Sequence, residues 1–126
     1  NLPWELLQIP FFSGMPSVAH WEGVIQCVGA AAGDAVILLA AFWATACLRR
    51  TRKWILQPSL SAIAPFVLLG IVVTIFLEWW ATGDSGRWAY AETMPTLPGL
   101  GTGVLPLLQW LLIPPLVVWL VRRQTR

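Results

Sequence analysis

Apolar residues fill three stretches of the chain, at positions 24–48, 60–80 and 103–121. The first is interrupted by one charge, Asp34, the second carries Glu78 near its end, and the third has none. A hydrocarbon core of ~30 Å takes about 20 residues of helix. Backbone groups in lipid have to be satisfied within the segment, so each stretch reads as a helix. No regular apolar/polar alternation marks the strands of a barrel. The pattern predicts an all-α polytopic transmembrane helical bundle, one domain over residues 1–126, with three full spans and an N-terminal partial helix.

Basic residues give the spans a direction. Arg49, Arg50, Arg52 and Lys53 follow the first span, and Arg122, Arg123 and Arg126 follow the third. Such clusters mark cytoplasmic ends. The loop 81–102 is then extracytoplasmic, with Asp84, Glu92 and a single base, Arg87, and its prolines and glycines exclude a continuous helix. The expected location is the inner membrane of a bacterium, with the C-terminus in the cytoplasm. Residues 2–12 are apolar but too short to span. They read either as an interfacial segment anchored by Trp4, Phe11 and Phe12 or as the tail of a fourth, truncated span. A cleaved signal peptide would equally account for an Asn at position 1.

Composition sharpens the class. The 126 residues are 57% hydrophobic and 11% charged, against about 45–50% and about 25% in soluble domains. A chain this short has too little interior to hide that much apolar surface from water. The eight basic residues are the two end clusters plus Arg87, set against six acidic ones for a net charge of +2, so the balance carries no nucleic-acid footprint. Most of the nine Trp residues (Trp4, Trp21, Trp54, Trp79, Trp80, Trp88 and Trp119) fall where interfaces are expected, as an aromatic belt, with Trp43 and Trp110 deeper.

Ionisable groups at membrane depth are costly and tend to face the bundle. Asp34 lies about ten residues into the first span, among Ala30, Ala31, Ala32, Gly33 and Ala35. These small residues let another helix approach closely. Glu5 and Gln8 are three apart and share a face if residues 3–9 are helical. Glu78 and Gln109 fall in the same half of the bilayer, with Asp34 at its floor. Glu5, Gln8, Asp34, Glu78, Trp88, Tyr90 and Gln109 therefore form the expected ligand pocket. Asp34 and Glu78 are the acid/base candidates if the protein is an enzyme. Pro114 and Pro115 should bend or break the third span. His20, Cys27 and Asp34 recur every seven residues, ~10.5 Å apart per step, too far for one metal ion. His20 is the one weak metal candidate. Cys27 and Cys47 lie ~30 Å apart and read as small buried residues.

The set Glu78-Trp79, Gly86-Arg87-Trp88-Ala89-Tyr90, Met94-Pro95, Pro106 and Gln109-Trp110, with Trp4-Glu5, Gln8, Pro10 and Gly33-Asp34, resembles small uncharacterised bacterial integral membrane proteins. That group implies no activity. The Glu, Trp-x-Tyr and Pro element is also faintly similar to the lycopene cyclases and carotenoid hydratases, whose further acidic residues are missing here.

No nucleophile–base pair, phosphate loop or metal-binding motif occurs. The first expectation is a non-catalytic small subunit that packs with membrane lipids and other integral membrane subunits, or holds a lipid, quinone, carotenoid or other pigment, or does both, and meets no nucleic acid. The alternatives are a small membrane enzyme on an isoprenoid or carotenoid-type substrate, with Trp88 and Tyr90 stabilising cationic character, and a transporter or channel subunit.

Overall fold

A computed structural model describes residues 1–83 and 85–125. Asp84 of the expected outer loop and Arg126 of the second basic cluster lie outside the described residues. Four α-helices follow in order: α1 (Leu2–Gln8), α2 (His20–Arg49), α3 (Leu60–Thr82) and α4 (Val104–Gln124). The last three are long and apolar enough to cross a membrane. Their outward faces carry Val36, Leu39, Leu68, Val72, Phe76, Leu111 and Leu116, all exposed. A bundle that is apolar outside as well as inside belongs in lipid, and the protein is an all-α multi-pass membrane protein.

Local chemistry sets the helix ends. The first span is longer than its apolar run, because α2 starts at His20. It ends where Arg50 turns left-handed (φ 53°) and the Arg50 and Thr51 N–H groups bond back to Cys47 and Ala46, the usual way of satisfying terminal carbonyls. The Thr51 hydroxyl then accepts from the Lys53 N–H at 3.1 Å and starts a 3₁₀ turn, Arg52–Ile55.

That turn folds under the bundle. Trp54, expected at the interface, is only 3% exposed. Its ring packs 5.2 Å from Phe66 and 5.6 Å from Phe42, centroid to centroid. With Ala41, Ala46, Ala62 and Val118 it forms the apolar core. An aromatic ring directly after a helix end has somewhere to go here because the small side chains of α2 and α3 leave room for it. Val118 brings α4 to the same place, so the described residues of both basic clusters share one end of the bundle. Arg52 and Arg123 there lie over the rings of Trp43 (4.9 Å) and Trp119 (5.4 Å).

Two further expectations change. α4 stays helical through Pro114 and Pro115, so of the expected bend or break the break does not occur. Two prolines remove two donors, Pro114 is fully buried, and the neighbouring protein covers the backbone at that depth. Cys27 is buried, but Cys47 is exposed on the outer face of α2.

α3 is the central helix and packs against both α2 and α4. Its contact with α4 depends on Gly70, because a Cβ at that position would overlap the ring of Trp110. At the other end of the bundle the segment after α1 pairs with the loop before α4. The Ser13 N–H donates to the Ala89 carbonyl (2.8 Å) and the Ala91 N–H to the Phe11 carbonyl (2.9 Å). The Phe12 and Tyr90 rings meet at 5.7 Å. A second clip, from the Val104 N–H to the Pro95 carbonyl (2.8 Å), leads the chain into α4.

Candidate functional site

Opposite the Trp54 core the helices diverge and leave a cavity of ≈ 640 Å³. Its α2 wall is one helical face, Gln26, Ala30, Gly33 and Ile37, with Asp34 beside it. α3 supplies Thr74, Leu77 and Glu78, α4 supplies Pro106, Gln109 and Trp110, and the outer loop adds Arg87 and Trp88. α1 closes the remaining side with Glu5 and Gln8. Both are 7% exposed although the helix carrying them has only seven residues. That inward turn follows from their spacing, since residues three apart share a helical face.

Hydrogen bonds tie these side chains together across the elements. Gln8 Nε2 donates to Glu5 Oε2 at 2.8 Å. Asp34 Oδ2 accepts from Gln109 Nε2 of α4 and, at 2.7 Å, from Asn1 Nδ2. Asp34 thus sits where α1, α2 and α4 meet, at the middle of its helix.

Glu78 is held separately. Its Oε2 accepts the Tyr90 hydroxyl and, at 3.3 Å, the Trp88 indole N–H. The Tyr90 oxygen in turn accepts the Gly103 N–H at 3.0 Å. A side chain on Gly103 would crowd both Tyr90 and Met94. Burial, and next the bond to Glu78, push the Tyr90 phenol above its ordinary range, while the Gly103 N–H opposes the shift.

Six of the seven expected pocket residues line the one cavity. Tyr90 does not; it fixes Glu78 from the outer side. His20, the weak metal candidate, opens α2, is exposed and is no part of the cavity wall. Gln26, Cys27, Thr74 and Arg87 also line the cavity, and none of them is among the expected pocket residues. The signal for Gln26 and Cys27 was present: both lie about two turns before Asp34 on its side of α2. Arg87 is exposed at the rim, with its guanidinium 5.6 Å from the Trp80 ring centre.

Past the Asp34–Gln109 bridge lies a smaller cavity of ≈ 140 Å³, walled by Leu38, Ile113, Pro114 and Val117. The bridge therefore divides a polar-ended chamber from an apolar recess. One polar atom of a residue in the chamber wall is left over: Gln8 Oε1 is buried and has no hydrogen-bond partner among the described residues. No family model, curated protein or solved structure matches the chain.

Proposed function

We propose that this protein is a non-catalytic small subunit of the bacterial inner membrane that holds a hydrophobic ligand (a lipid, quinone or pigment) between its helices and packs with other integral membrane subunits. The observation that carries the reading is the cavity itself. At ≈ 640 Å³ it has the size of a small-molecule site, and its few polar groups converge on a mainly apolar wall, as ligand sites do. Lateral faces rich in exposed leucine and valine suit lipid and neighbouring subunits.

The test is retention of the ligand. Protein purified in mild detergent should carry a stoichiometric small molecule, seen by native mass spectrometry and released by organic extraction. Gly33 lines the cavity, and a Cβ there meets nothing within 4 Å. Gly33→Leu should therefore fill the chamber, lose the bound species and keep the helical content. Protein that carries nothing, or Gly33→Leu that carries as much, defeats the proposal.

In the same reading both basic clusters face the cytoplasm. Cys47, exposed near that end, should react with an impermeant maleimide only after the cells are opened. Labelling in intact cells would reverse the topology.

The grip on Glu78 favours a second reading, a small enzyme on an isoprenoid-type substrate. A carboxyl fixed by two donors at one oxygen is oriented as an acid or base would be. Under that reading Glu78→Gln abolishes turnover of such a substrate while ligand retention survives; if retention is lost together with folding, Glu78 is structural.

A further inference from the structure

Within the buried end of the chamber, the protein's amide donors are turned toward its own carboxylates. Gln8 Nε2 is directed at Glu5 and Gln109 Nε2 at Asp34, and the Tyr90 and Trp88 donors converge on one oxygen of Glu78. Acceptors remain. Gln8 Oε1 is buried without a partner in a residue 7% exposed. No donor among the described residues reaches Oε1 of Glu78. A buried acceptor without a hydrogen costs free energy that a bound donor recovers.

Building on the cavity reading above, we infer that the ligand presents a hydrogen-bond-donating head without negative charge, a long-chain alcohol or a long-chain ammonium, to Gln8 and Glu78, with its tail along the apolar wall. An acceptor-only head such as a quinone leaves Gln8 Oε1 unpaired. A carboxylate head offers no donor to Gln8 Oε1 or to Glu78 Oε1. The one base in the wall, Arg87, is exposed at the rim over Trp80. The alcohol and the ammonium share the donor chemistry; the ammonium adds attraction to the carboxyl groups and to the ring faces of Trp88 and Trp110.

The experiment titrates delipidated full-length protein with four probes of matched tail length: oleyl alcohol, oleylamine, oleic acid and an alkyl benzoquinone. Retention is read by native mass spectrometry. The expected result is that the alcohol, the amine or both bind about tenfold tighter than the acid and the quinone, the scale of one hydrogen bond gained or left unmade. Amine above alcohol identifies an ammonium head; equality of the two identifies a neutral one. In Gln8→Met the advantage should shrink to about twofold. The wild-type panel decides alone if that variant does not assemble. Acid or quinone binding as tightly as alcohol and amine overturns the inference and leaves the cavity reading standing. Failure of all four probes to bind overturns both.

Discussion

The indole of Trp110 occupies the space in which a side chain on Gly70 would begin. This contact sets the separation of α3 and α4, and with it the position of Gln109, the neighbour of Trp110 that reaches Asp34. Gly70→Ala should displace the ring or the helix and cost about 1–3 kcal/mol, the usual penalty of overpacking. Thermal unfolding in detergent measures it. Gly70→Ala combined with Trp110→Leu should recover part of the loss, since residues in contact are not additive.

Gln109→Leu removes the one side-chain bond from α4 to Asp34. A buried carboxyl short of a donor costs about 1–3 kcal/mol. The variant should unfold at lower temperature and let probes pass between the chamber and the apolar recess. A melting temperature equal to wild type would show the bridge to be idle.

Tyr90 offers a pH test outside the spans. Its phenol is pushed up from the ordinary 10.0 by burial first and the Glu78 bond second. The folded state thus holds the Tyr90 proton more tightly than the unfolded state does. The associated stability is complete below pH ~10 and declines as pH rises beyond it. Unfolding scans across this range should show that decline in wild type and less of it in Tyr90→Phe. Below pH ~10 Tyr90→Phe should itself cost about 1–2 kcal/mol, because both Glu78 and the Gly103 N–H lose a partner.

Trp54→Ala should destabilise by about 3–5 kcal/mol, as expected when a large buried ring is deleted. Trp54→Phe should cost less than about 1.5 kcal/mol. The Trp54 indole N–H has no hydrogen-bond partner to lose. Chemical unfolding followed by circular dichroism distinguishes the two.

The spans were legible because lipid imposes one rule on every residue of a crossing helix. The same rule made Asp34 and Glu78 conspicuous, and the three-residue step from Glu5 to Gln8 was enough to give them a common face. Trp54 was misread because an interface tryptophan and a core tryptophan look alike in sequence; the left-handed Arg50 that turns it inward leaves no periodic trace. Whether the prolines of α4 bend or break the helix was not legible, since the outcome depends on what covers the freed carbonyls, which only tertiary packing decides. The role of Tyr90 was displaced by one shell for a similar reason. Its contact with Glu78 is made by a loop whose path comes from backbone pairing with residues 11–13, not from a local pattern.

That pairing has a consequence for how the protein is made. Ser13 and Tyr90 are 77 residues apart, and at about 5–20 residues per second the ribosome needs on the order of ten seconds to pass from one to the other. During that interval α1, carrying Glu5 and Gln8, lacks the loop partner it has in the folded protein. The side of the chamber that α1 and the outer loop close together is therefore completed only after the segment around Tyr90 has been made.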